Sequence, residues 1–189
     1  MRGLFMARDL IYFDLETQRT ANDVGGWSNK HKMGMSIGVT YNATQSEYHI
    51  YTEQTVQHLI AELRGAALVV GFNHVSFDYG VLGAYYAFDL AEELRSLDLM
   101  VDLEKLLGHR PKLEDVALAT LGVGKTAEGL QAIRWWQQGK LAEIAEYCAY
   151  DVKVTKCVHE YGAQHGHVKY RDRNGREQTL PVNWTLQRG

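Results

Sequence analysis

Apolar and polar positions fall into short blocks along this chain, and the spacing within each block names an element. Leu10-Ile11-Tyr12-Phe13 is a continuous apolar run, and residues 10 to 15 read as a strand. The polar, glycine-containing stretch TQRTANDVGGWSNKHKMG reads as a loop. MSIGVTYN (35 to 42) and EYHIYT (47 to 52) are β-rich and joined by the turn ATQS. They read as a hairpin that continues the first strand as a meander. Val56, Leu59, Ile60 and Leu63 recur at helical spacing and stop at Gly65. AALVVGFN is apolar throughout, as suits a central strand covered on both faces.

Beyond residue 76 the pattern becomes helical. FDYGVLGAYYAF, DLEKLLG, KLEDVALATLG, GLQAIRWWQQG and the long segment 140 to 162 each read as a helix. The tail places Asn174-Gly175 between two alternating segments, a hairpin signal. A strand-rich first third followed by helices predicts an α/β domain on a mixed sheet with a terminal hairpin. Residues 1–163 would form the body and 164–189 a basic hairpin appended to it.

Bulk properties narrow the picture a little. The 189 residues suit one domain, and 46% hydrophobic content is enough for a sizeable core. No stretch approaches the roughly 18 apolar residues of a membrane span, so no membrane partner is expected. The opening MRGLFMARDL reads as too short and interrupted for a signal peptide. Cys148 and Cys157 form no CxxC pair and read as two buried thiols in a reducing cytoplasm. The net charge of −3 divides unevenly, with +3 over residues 164–189 and −6 over the rest. An acidic body with a basic tail is a weak hint about partners.

The candidate chemistry is carboxylate. Asp14 and Glu16 stand two apart at the end of an apolar strand, so both project from one face and repel. Alone, the pair could be two solvated turn residues. Asn73 and Asp78 flank the loop between a strand and a helix, where each could be a turn or cap residue. Tyr147 and Asp151 share a helix face at i and i+4. Asp151 could equally lie on the solvated stripe.

Taken together, Asp14-Leu15-Glu16, Asn73 to Asp78 and Tyr147 to Asp151 resemble, in that order, the three exonuclease motifs of the DEDD superfamily, which has a ribonuclease H-like fold. A tyrosine four residues before the last acid resembles the DEDDy branch; the DEDDh branch would need a histidine at position 146, which is Glu146. The resemblance covers roughly residues 10 to 162 and implies a central mixed five-stranded sheet flanked by helices. It also implies a metal-dependent 3′–5′ exonuclease that releases 5′-mononucleotides from the 3′ end of DNA or RNA. Two divalent cations, Mg²⁺ or Mn²⁺, would sit on Asp14, Glu16, Asp78 and Asp151. Asp14, Glu16 and Asp151 would share the ion that activates the attacking water, Asp14 would bridge to the second, and Asp78 would support the second largely through water. Tyr147 would orient the water, since a phenol with a pKa near 10 is a poor base at neutral pH. Asn73, Thr17, Phe77 and Lys125 complete the set as substrate-binding positions. The alternatives on the same fold are an inactive nucleic-acid-binding or interaction module and an internally cutting nuclease.

Other signals carry less. LGVGKT lacks the first glycine of a phosphate-binding loop, because residue 119 is Ala, and Lys125 reads chiefly as a solvated loop lysine. Asp98 and Asp102 read as helix caps or surface acids. Trp135 and Trp136 could stack on bases, but at helical spacing beside Ala132 and Ile133 at least one reads as core. His165 and His167 read as solvated. Lys169, Arg171, Arg173 and Arg176 make the tail either a phosphate-binding ribbon or a hairpin with a solvated charged face. The sequence does not choose between DNA and RNA or name a protein partner.

Overall fold

The structure, a computed structural model, describes residues 9–124, 129–172 and 174–185. Five strands form one sheet in the order β3-β2-β1-β4-β5. They are β1 (Leu10–Thr17), β2 (Met35–Asn42), β3 (Glu47–Thr52), β4 (Leu68–Gly71) and β5 (Ser96–Asp98). β1, β2 and β3 are an antiparallel meander, while β4 and β5 join parallel to β1. The sheet is therefore mixed, with β1 at its centre. A ribbon of β6 (His167–Arg171) and β7 (Glu177–Pro181) makes a second small sheet.

Strand parity sorts the core into two layers. Ile11, Phe13 and Leu15 pack on one face with Val56, Leu59, Ile60 and Leu63 of α1 (Val56–Gly65). Tyr12 points the other way, into a larger cluster with α4 (Leu99–Leu107), α5 (Leu113–Leu121), α6 (Gly129–Gln137) and α7 (Leu141–His165). Asp14 and Glu16 have the parity of Tyr12, so they project on the α7 side. The continuous apolar run Leu10 to Phe13 lies in a strand buried on both faces.

Several boundaries differ from the sequence reading. The helix expected over 77–88 closes after one turn as α2 (Asp78–Leu82), with Gly83 at its end. Gly80 and Gly83 weaken helix propagation there. α3 (Leu90–Glu93) then restarts under an Asp89 cap. α4 begins at Leu99 rather than Asp102, because Asp98 caps it by accepting from Met100 N and Val101 N. The three residues that end on that cap, Ser96–Asp98, form β5, too short to show a periodicity of its own. The loop after β1 contains a 3-10 segment, Trp27–Lys32. Of the two thiols expected to be buried, Cys148 is and Cys157 is partly exposed.

The tail ribbon docks on the body. Val168, Tyr170, Leu180 and Trp184 join the α7-side cluster. Thr120 Oγ1 donates to Lys169 O and accepts from Lys169 N, tying β6 to α5. Gly162 of α7 admits the Trp184 ring, since a Cβ there would lie 2.4 Å from it. The turn is five residues rather than two. Asp172 Oδ1 organises it by accepting from Asn174 N and Arg176 N, and Gly175 supplies a φ of 76°. Lys169 and Arg171 both pair with Glu177, so their charge is partly met within the ribbon. Arg173 lies outside the described residues. Among the described residues, no helix is long and apolar enough to cross a membrane.

Candidate active site

Two elements deliver acids to one place, and a third is tied to them. β1 supplies Asp14 and Glu16 from one face, and α7 crosses that face and supplies Asp151. Carboxylate oxygens of Asp14, Glu16 and Asp151 lie within 4.8 Å of one another. Among the described residues this is the group of acidic or metal-ligating side chains close enough to share an ion. Asp78, at the first turn of α2, stands outside that group and is buried. Its Oδ1 accepts from Leu15 N at 3.0 Å, the main-chain amide between Asp14 and Glu16. The second motif is thereby fastened to the first.

The electrostatics follow from this crowding. Burial pushes the Asp14 carboxyl well above the usual carboxylate range, and Asp78, Glu16 and Asp151 push it further. Asp78 is raised to about 7, chiefly by burial, although hydrogen bonds from Leu15 and its own amide oppose the shift. Such a cluster is poorly suited to stand fully ionised without cations. An all-oxygen donor set of this kind fits a hard divalent ion.

Tyr147 is buried beside the acids. Burial, then Asp151, Glu16 and Asp14, raise its phenol above the ordinary value, and its hydrogen bond to Asp151 adds to the shift. The hydroxyl therefore stays protonated at neutral pH. Trp135 packs edge-on against it, with ring centroids 6.2 Å apart, so this tryptophan supports the tyrosine from the core side. Trp136 is also partly buried against the core.

Among the described residues, two depressions open at the carboxylates. The larger, about 560 Å³, is lined by Glu16, Thr17, Trp27 and Phe77, with Arg19 and Lys112 at its edge. The smaller, about 160 Å³, is lined by Tyr147, Tyr150, Asp151 and again Lys112. Thr17 is buried, and its hydroxyl donates to Arg19 O. Phe77 meets Trp27 edge-to-face at 6.0 Å, and Trp27 is 66% exposed. Asn73 lines neither cleft. Its amide N–H donates to Asp98 Oδ1, its side-chain oxygen accepts from Arg110, and its φ of 67° turns β4 toward α2. Asp98 also accepts from Val75 N, so it shapes this loop as well as capping α4. Lys125 lies outside the described residues.

Sequence reading passed over Trp27, Arg19, Lys112 and Cys148 here. The first three sit in loops or at an element's edge, where no periodicity marks them. Cys148 was visible as the residue after Tyr147, but its contact with Asp14 was not: Sγ lies 3.4 Å from both Asp14 O and Asp14 Oδ2. His165 and His167 cluster with Tyr161 at the surface rather than with the acids.

The same architecture occurs in a solved structure. A family B DNA polymerase from Pyrobaculum calidifontis matches 86% of this chain and 25% of its own, with a TM-score of 0.62 and 13% identity. Exonuclease I of E. coli matches in a zinc-bound complex with single-stranded DNA, with a TM-score of 0.47, 11% identity, and coverage of 84% of this chain and 41% of its own. Its complex with a dA16 oligonucleotide matches with a TM-score of 0.46, 12% identity, and coverage of 83% and 41%. The chain thus spans a quarter of the polymerase and two fifths of the exonuclease. Comparison with curated proteins finds no match. A family model described as RNase_H superfamily matches residues 11–162, which include all four acids and the tyrosine. This chain belongs to the RNase_H superfamily.

Proposed function

We propose that the protein is a DEDDy-type 3′–5′ exonuclease that removes 5′-mononucleotides from the 3′ end of a nucleic acid strand. The observation that carries this reading is the convergence of Asp14, Glu16 and Asp151 within 4.8 Å, with Tyr147 hydrogen-bonded to the last of them. Asp14, Glu16 and Asp151 would hold Mg²⁺ or Mn²⁺, with Asp78 supporting a second ion. Bound ions would supply a water of lowered pKa and neutralise charge on the phosphate under attack.

The protein's own groups divide the remaining work. Tyr147 keeps its proton and so orients the attacking water rather than deprotonating it. Asp78 holds the β1 backbone through Leu15 N, fixing Asp14 and Glu16 in register. The aromatic cleft at Trp27 and Phe77 adjoins Glu16 and has room for a nucleoside. A base enters such a cleft from an unpaired end, which favours single-stranded substrate. Thr17 lines the same cleft as a contact to the terminal nucleotide.

The test is cleavage of 5′-labelled single-stranded DNA and RNA with Mg²⁺ or Mn²⁺, beside Asp14→Asn. A ladder that shortens from the 3′ end and vanishes in the variant is expected. Internal cuts would replace this reading with that of an endonuclease. Absence of metal-dependent cleavage of either substrate would replace it with that of an inactive binding module.

A further inference from the structure

We infer that Lys112 binds the substrate backbone, its ammonium engaging a phosphate where the two clefts meet. This deepens the exonuclease reading and rests on it. Glu16 lines the larger cleft and Asp151 the smaller, yet their carboxylate oxygens lie within 4.8 Å. The acidic group therefore stands at the junction of the two depressions, and a strand that reaches it passes from one to the other. Lys112 is the residue common to both linings.

Its setting suits the task. Pro111 before it is buried and Leu113 after it packs on the core, so the backbone at Lys112 is fixed. The side chain is 75% exposed, with Glu114 Oε1 at 3.9 Å from Nζ. A contact at that distance from a largely exposed ammonium is weak and yields readily to a phosphate. The need is also local. A polyanion approaching four acids meets repulsion, and a cation at the junction offsets it for the phosphates on either side of the cleaved bond. Arg19 lines the larger cleft alone. Its contact would depend on which cleft takes the departing nucleotide, whereas that of Lys112 would not.

The experiment compares wild type, Lys112→Met, Lys112→Arg and Lys105→Met. Lys105 is a surface lysine on α4 that pairs with Asp102 and lines neither cleft. Binding of a fluorescein-labelled single-stranded oligonucleotide is followed by anisotropy with Ca²⁺ over a salt series, and KM and kcat are measured with Mn²⁺. Lys112→Met should weaken binding about five- to tenfold and flatten the log–log salt slope by about 0.7, the value for one phosphate contact on a single strand. KM should rise more than kcat falls. Lys112→Arg should restore most of the slope, and Lys105→Met should resemble wild type. A wild type that binds and cleaves alongside an unchanged Lys112→Met overturns this inference and leaves the exonuclease reading standing. A folded wild type that neither binds nor cleaves overturns both. Thermal melting of each variant excludes misfolding as the cause.

Discussion

Cys148 Sγ lies 3.4 Å from both the main-chain oxygen and Oδ2 of Asp14, 134 residues away in sequence. The thiol is buried, and burial together with Asp14 raises its pKa well above the ordinary value, so it remains an S–H donor. Its hydrogen bond is the influence that favours the ionised form of Asp14 against burial and three neighbouring acids. Cys148→Ser keeps a donor, and Cys148→Ala removes it. The alanine variant should bind Mn²⁺ severalfold more weakly, with the serine variant close to wild type, in an isothermal titration. Equal affinities in all three would assign the thiol to packing alone.

The acids oppose one another in the absence of an ion. Asp14→Asn should therefore leave the apoprotein as stable as wild type or more stable, by on the order of 1 kcal/mol, while abolishing cleavage. Urea midpoints in EDTA measure the first part. Added Mn²⁺ should raise the wild-type midpoint and leave that of the variant nearly unmoved. An apoprotein clearly weakened by Asp14→Asn would mean that this carboxylate has a folding role the repulsion argument omits.

Trp27 is 66% exposed, yet its segment is anchored. Asn29 Nδ2 donates to Val24 O, and Lys30 Nζ donates to Ser76 O. A base stacked on a tryptophan contributes about 1–3 kcal/mol. Trp27→Ala should weaken single-strand binding about 5- to 100-fold, with a stability change within about 0.5 kcal/mol. Quenching of tryptophan fluorescence by oligonucleotide should shrink in parallel. Undiminished binding by the variant would remove Trp27 from the substrate site.

His159 is fully buried, and burial lowers its pKa to about 4. Nδ1 is 2.9 Å from Tyr12 Oη, and Nε2 has no partner among the described residues. The folded state holds the ring neutral, whereas the unfolded chain protonates near 6.5. Between those values the unfolded state binds more protons, so this residue's contribution to stability is lost as pH falls from 6.5 toward 4. His159→Gln removes the linkage. Relative to wild type, the variant should therefore gain about 2 kcal/mol between pH 8 and pH 5 in paired urea titrations. A difference that does not change with pH would mean the histidine titrates alike in both states.

One close approach helps to hold the tail. A Cβ at Gly162 would meet Trp184 at 2.4 Å, while Trp184 Nε1 donates to Asp102 Oδ2. Gly162→Ala should destabilise by about 1–3 kcal/mol through overpacking. Adding Trp184→Ala should make the double variant more stable than the sum of the single effects, as residues in contact require. Strict additivity would show that the two do not press on one another.

Much of the site was legible in sequence because its parts are local. Strand parity alone puts Asp14 and Glu16 on one face, and helical spacing alone puts Tyr147 above Asp151. The order of the three motifs then suggested the fold. The tail hairpin and the meander were equally local, and both are present where the pattern placed them, although the hairpin's turn is longer than the Asn174-Gly175 signal implied. The sequence could not disclose which distant segments cover a face. β5 has three residues, too few for any period, and only its parallel pairing with β4 makes it a strand.

The chain by itself determined which residues could act together within each element, since backbone geometry fixes their directions over a few residues. Tertiary structure alone decided the rest. It set Asp78 against Leu15, Cys148 against Asp14 and Lys112 between two clefts. Those meetings depend on how α2, α5 and α7 pack around β1, and that packing is a property of the whole core.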